Sequence, residues 1–298
     1  MIGGSRRPGR LVLASVLASA LAGCIGSASP APTLEPITAG PTPTVTRYEI
    51  GTTAWIEGFV VTVSSATASL DAKGGTLTVQ AQITNAGPDD ATLDVPLVVT
   101  AGDATFQLSH GTALPDEAAG SVSLVSLPFD VIGRATIDDG VIRIGRDGDH
   151  KVAIPLTPNP AALVTLQPVM ATPTGSTRTT NFRVAIRGLE QRWDLPDWND
   201  ELPATSQALT VTYDVTYTGT FAGGIAFTAD NVQLRLPDGS TVSPRQDGHS
   251  QSIELIAAGK TVKGMTSRFE IPDGLTGKLA LLIVDGSSTR AISFTLGG

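Results

Sequence analysis

Cysteine is nearly absent: Cys24 is the only one in 298 residues. One thiol excludes an intramolecular disulfide and any cluster of thiolate ligands, so the fold must be held by burial alone. Histidine is scarce too. His110, His150 and His249 stand far apart in the turn-like contexts "LSHGT", "GDHKV" and "DGHSQ", without the short spacing a zinc or copper site requires, and they read as surface residues. No Gly-x-Ser-x-Gly elbow occurs, and no nucleophile, base and orienting group stand in a recognisable arrangement. The glycines of "GTFAGG" (219–224) follow a strand-like run with no helix to receive a phosphate. No stretch carries a sustained 3.6-residue apolar stripe. The sequence therefore offers no catalytic residue, no metal site and no cofactor.

Positive charge is also in deficit. The chain has 20 Lys+Arg against 28 Asp+Glu, a net charge of −8. Residues 1–23 contain Arg6, Arg7 and Arg10 and no acid, so without them the remainder has 17 Lys+Arg and a net charge of −11. Such a balance argues against nucleic acid as a partner, because phosphate binding requires a basic footprint. Long apolar runs are missing as well. The one from Leu11 to Ala22 would rise only about 18 Å as a helix, against a hydrocarbon core of about 30 Å.

That apolar run follows three arginines and ends in small residues, the order of a secretory signal over residues 1–23. At its exit stands Leu21-Ala22-Gly23-Cys24, which resembles the lipobox of bacterial lipoproteins. The resemblance implies a diacylglycerol group on the Cys24 thiol, cleavage before Cys24 and acylation of the new amino terminus, for which palmitate is the expected chain. Two or more acyl chains give stable anchoring. The expected location is the extracytoplasmic face of the cell membrane, with the membrane itself as one partner. Residues 24–49 hold five prolines among Ser, Thr, Ala and Gly, a composition that predicts an extended linker without a packed core.

From Tyr48 onward the pattern has period two. "TLTVQAQITN" places Leu77, Val79, Ala81 and Ile83 on one face, and "LTVTYDVTY" does the same with Leu209, Val211, Tyr213, Val215 and Tyr217. These are half-buried antiparallel strands. Turn signals such as Asp139-Gly140, Asp147-Gly148 and Pro237-Asp238-Gly239 recur at short intervals. The fold class is all-β. The halves also resemble each other: Phe129-Asp130-Val131 matches Phe269-Glu270-Ile271 at an offset of 140, which also sets Val141-Ile142 against Leu281-Leu282 and Ile154 and Leu156 against Phe294 and Leu296. Leu77 matches Leu209 at 132. This predicts two tandem immunoglobulin-like antiparallel β-sandwiches, at 50–157 and 160–298. Lipobox, Pro/Thr linker and β domains together resemble a family of uncharacterised lipid-anchored bacterial surface proteins with immunoglobulin-like, telokin-like modules. That resemblance brings over no catalytic residue.

One segment breaks the repeat. "EQRWDLPDWNDELPATSQ" makes a connection for which the first half needs only "SLDAKGG". It holds Trp193, Asp194, Asp197 and Trp198, a combination of planar side chains and acids that makes it the candidate ligand-binding surface for an extracellular protein or a glycan. The opposing reading has the tryptophans capping the open end of a sandwich. A binding or structural role, not enzymatic, is the leading functional expectation. An envelope hydrolase or a transporter-associated substrate-binding lipoprotein is the alternative.

Overall fold

The structure, a computed structural model, describes residues 42–247, 250 and 253–297. The signal, Cys24, most of the linker and His249 lie outside the described residues. The described residues form strands with only two short 3-10 turns.

The first half contributes β1 (Thr44–Ile56), β2 (Phe59–Asp71), β3 (Gly74–Asn85), β4 (Leu97–Ala101), β5 (Ala104–Gln107), β6 (Val122–Ile132), β7 (Val141–Ile144) and β8 (Val152–Pro155). They form two sheets, β1-β2-β3-β6 and β8-β7-β4-β5, with every pairing antiparallel. Inward residues of both sheets, among them Leu77, Val79, Phe129, Val99, Ile142 and Ile154, build one core. The second half contributes β9 (Ser176–Arg178), β10 (Phe182–Arg192), β11 (Ser206–Tyr217), β12 (Val232–Arg235), β13 (Thr241–Val242), β14 (Thr261–Pro272), β15 (Gly277–Asp285) and β16 (Ser288–Leu296). Its sheets run β10-β11-β14, with β9 added on β10, and β13-β12-β15-β16. A second core gathers Leu209, Val211, Tyr213, Phe227, Phe269 and Leu281.

Both halves thus have the same strand order. β2-β3-β6 corresponds to β10-β11-β14, and β8-β7-β4-β5 to β16-β15-β12-β13. The repeat extends to single residue pairs: Leu77 lies opposite Phe129 and Leu209 opposite Phe269, all without measurable exposure. On the next strand the even spacing fails. Ile142 faces Val99 and Leu281 faces Leu234 across their ladders, an odd separation, and half-buried Val141 has no inward role. The period-two rule explains the slip, since one residue of loop difference moves a side chain to the other face.

Alternation makes the face of each strand testable. Val79 is buried in the first core and Thr78, beside it, is half-buried on the outer face. Val79→Asp is expected to cost more than about 3 kcal/mol, and Thr78→Asp under about 1 kcal/mol. Thermal melting checks this, and equal shifts would contradict the register.

The chain between the halves lies along the first sandwich. Ala153 and Val164 exchange backbone hydrogen bonds of 2.9 and 2.8 Å, and Trp55 N–H donates to Thr165 O at 2.9 Å. At this same C-terminal end of β1 a two-residue turn, Glu57-Gly58, joins it to β2. Both residues have positive φ, 47° and 77°, the geometry that matches strand twist in a tight hairpin.

Candidate functional site

In such a turn the two central N–H groups have no partner within the hairpin. Here both meet acids of the second half. Glu57 N–H donates to Glu201 Oε2 and Gly58 N–H to Asp194 Oδ2, each at 2.9 Å. The two acids face each other because Asp194–Leu195 and Asp200–Glu201 pair as a short antiparallel ladder, seated on a small apolar cluster of Leu195, Leu202 and Ala208. Both carboxylates are buried. Asp194 also receives the Arg192 guanidinium, Nε to Oδ1 at 2.8 Å and Nη2 to Oδ2 at 3.1 Å, and Arg192 reaches Glu190 as well. From the first half, Arg146 pairs with the Glu57 side chain.

The contact is close enough to require glycine. A Cβ on Gly58 would lie 2.9 Å from Pro196 Cα, and one on Gly87 would lie 2.7 Å from Pro196 O. The β7–β8 hairpin forms the second side of the joint. Ala204 N–H donates to Gly148 O at 2.9 Å, and Asp149 stands opposite Pro203. His150 Nε2 donates to Ser206 O at 2.7 Å, and its ring meets Trp193 edge-on at 6.4 Å. The Trp193 indole N–H in turn donates to Asp273 at 2.8 Å.

Glu201 is the strained member. Burial, followed by the nearby Asp194, Asp149 and Asp200, pushes its carboxyl up to about 10, with Arg192 opposing. Its Oε1 is buried without a hydrogen-bond partner. A neutral carboxylic acid accepts the Glu57 N–H without a further buried negative charge, and an unpartnered Oε1 costs less there than in a carboxylate.

The four residues singled out in the sequence therefore divide. Asp194 is buried with both oxygens occupied by Arg192 and Gly58. Trp193 is half-buried between His150 and Asp273. Asp197 pairs with Arg268 at 2.9 Å, and Arg268, nearly enclosed, also reaches Asp247 at 3.2 Å. Trp198 alone faces solvent, 59% exposed. It borders a shallow hollow lined by Leu195, Asn199, Asp200, Arg245, Gln246 and Asp247. His150, read from sequence as a surface group, instead belongs to the joint, while His110 is exposed. Glu57 and Gly58 carry one signal in the sequence, the two-residue break "EG" between the apolar runs "AWI" and "FVV", and Gly87 lies in the turn signal Ala86-Gly87-Pro88-Asp89.

Among the described residues no group of three or more His, Cys, Asp or Glu is placed to hold a metal ion. Among them also, no helix is long and apolar enough to cross a membrane.

No family model matches this sequence, and no curated protein does. Among solved structures it is similar to the conserved domain protein from Bacillus anthracis, at 10% identity over 84% of this chain and 88% of that one, with a TM-score of 0.22. A likeness at that level carries no argument about function.

Proposed function

We propose that this protein is a lipid-anchored surface protein of the extracytoplasmic face that acts as a binding module. It is held through Cys24 and takes its ligand, an extracellular protein or a glycan, at the Trp198 hollow. The observation that carries the reading is the position of Trp198. It is a large planar side chain left open on the one connection that the internal repeat does not need, beside amide, carboxylate and guanidinium groups. Exposed tryptophan offers contact area with only two rotatable bonds to immobilise. The surrounding Asn199, Asp200, Arg245 and Gln246 supply donors and acceptors suited to hydroxyl groups. No reaction is assigned to the module. The hydrogen-bonded joint next to the hollow supports the reading, because a preformed surface loses less entropy on contact.

Two measurements test the proposal separately. Cys24→Ala is expected to abolish incorporation of a fatty-acid analogue and retention in the membrane fraction; label retained by the variant contradicts the anchor. Trp198→Ala is expected to keep the melting temperature within a few degrees while losing at least about tenfold in retention on an immobilised glycan array or cell-surface extract that the wild type binds. Retention unchanged by the substitution contradicts the hollow as the binding surface.

A further inference from the structure

The outer face of the β10-β11-β14 sheet carries charge of the opposite sign to the chain as a whole. Across its far end one lateral row reads Arg178, Arg183, Thr216 and Thr261, each directly opposite the next on neighbouring strands. Arg187 follows along β10 and Lys263 along β14, and all four cations are exposed. Alternation with the buried Val184 and Ile186 places Arg187 on this same face, and the strand bulges just there, between Ile186 and Gly188. Its Nε donates to Asp214 at 2.7 Å, and the other Asp214 oxygen accepts the Gly264 N–H at 3.0 Å. Asp285, at the adjoining corner, is held by the Asn181 N–H and Nδ2.

Arg178 and Arg183 have no ion-pair or hydrogen-bond partner of their own among the described residues. Like charges directly opposite on paired strands destabilise a sheet. In a chain with net charge −8, a fold that keeps two arginines in register and adds a lysine beside them leaves an unneutralised positive field on one face. The Thr216 and Thr261 hydroxyls, hydrogen-bonded to each other at 2.7 Å, continue the row with polar donors.

We propose that this face binds an extended phosphate-bearing polymer. Arg178 and Arg183 stand on adjacent strands, about 4.8 Å apart, Lys263 lies on β14 two strand spacings (about 10 Å) from β10, and Arg183 and Arg187 are separated by roughly 13 Å along β10. That is an open array, which a chain of repeated charges engages at several points and a single small anion at one. A phosphate polymer carries its charge on its own backbone and takes guanidinium forks bidentately, whereas each carboxylate of a polyglutamate sits on a flexible side chain whose ordering costs free energy on contact. The Arg192 end of β10 lies at the joint and the Arg183 end away from it. In the first half, β1 likewise meets the joint at Glu57 and begins at Thr44, on its far side. The cationic face is thus remote from where the linker enters. If the anchor reading of Cys24 holds, the face looks away from the membrane, which favours a polymer over lipid headgroups. Binding itself does not depend on that reading.

The test uses the chain from Pro41 to Gly298, which forms one compact unit with both cores complete. Its probes are long-chain inorganic polyphosphate, poly-L-glutamate of equal charge, and phosphatidylglycerol vesicles. Polyphosphate is expected to bind at low salt, to weaken steeply as salt rises, and to lose at least about tenfold in affinity in the double variant Arg183→Glu, Lys263→Glu. Both positions are exposed, so melting should be unchanged, and Trp198→Ala should bind polyphosphate as the wild type does. Poly-L-glutamate and the vesicles should bind at least about tenfold more weakly than polyphosphate. Undiminished binding by the double variant overturns the site. Equal binding of poly-L-glutamate overturns the phosphate assignment, and preferred binding of vesicles overturns the polymer.

Discussion

Asp194→Ala is expected to destabilise the protein by about 3 kcal/mol or more, the usual consequence of removing one partner from a buried ion pair. For a body of this size that corresponds to a fall of roughly 6–12 °C in melting temperature. The reasoning is local. The substitution leaves the Arg192 guanidinium with only Glu190 to face, and leaves the Gly58 N–H buried under Pro196 without an acceptor. Asp194→Asn should fall between the two, since it keeps an acceptor for Gly58 and loses the charge. Calorimetry on the Pro41–Gly298 chain measures both. A melting temperature for the alanine variant within a degree or two of wild type would mean that the joint contributes little.

The second large effect has the opposite sign. Glu201→Gln is expected to stabilise the protein at pH 8 and to change it little near pH 4. The carboxyl is raised from 4.5 to about 10 in the fold, so between those values the folded chain holds a proton that the unfolded chain has released. Folding must then take up a proton, and stability falls as pH rises through this window, by at most about 1.4 kcal/mol per pH unit. Below about pH 4.5 both states are protonated and the penalty vanishes. Glutamine presents the same acceptor to the Glu57 N–H without a group to titrate. The variant should therefore melt several degrees higher than wild type at pH 8, with a flatter pH profile. A lower melting temperature at pH 8 would show that Glu201 is held as a carboxylate.

These two residues also mark how far the sequence could be read. Alternation at Leu77–Ile83 and Leu209–Tyr217 specified strands, because a side-chain period of two with one face buried leaves few other solutions. The Phe-acid-aliphatic match at 129 and 269 located equivalent strands, and the ladders place Leu77 and Leu209 opposite those phenylalanines. The use of the 193–206 connection was not legible. Acids, tryptophans and prolines suit a binding loop and an intramolecular joint equally well. What distinguishes them is the Glu57-Gly58 turn and the His150 hairpin, far away in sequence and brought together only by the packing of the two halves. Of Trp193, Asp194, Asp197 and Trp198, Trp198 is the one exposed to solvent. The cationic face was hidden for a related reason: Arg178, Arg183 and Lys263 are scattered in a sequence dominated by acids, and only strand register aligns them.

The central structural claim is that the Glu57-Gly58 turn of the first sandwich is docked on two acids of the second. Residue-resolved amide hydrogen exchange tests it most directly. The Gly102-Asp103 turn between β4 and β5 serves as an internal reference, because its glycine also has positive φ and no backbone or side-chain acceptor is seen for its N–H groups among the described residues. The account predicts that the Glu57 and Gly58 amides exchange at least about a hundredfold more slowly than those of Gly102 and Asp103, and that Asp194→Ala brings Gly58 toward the reference rate. Exchange at Glu57 and Gly58 as fast as at Gly102 and Asp103 in the wild-type chain would contradict it.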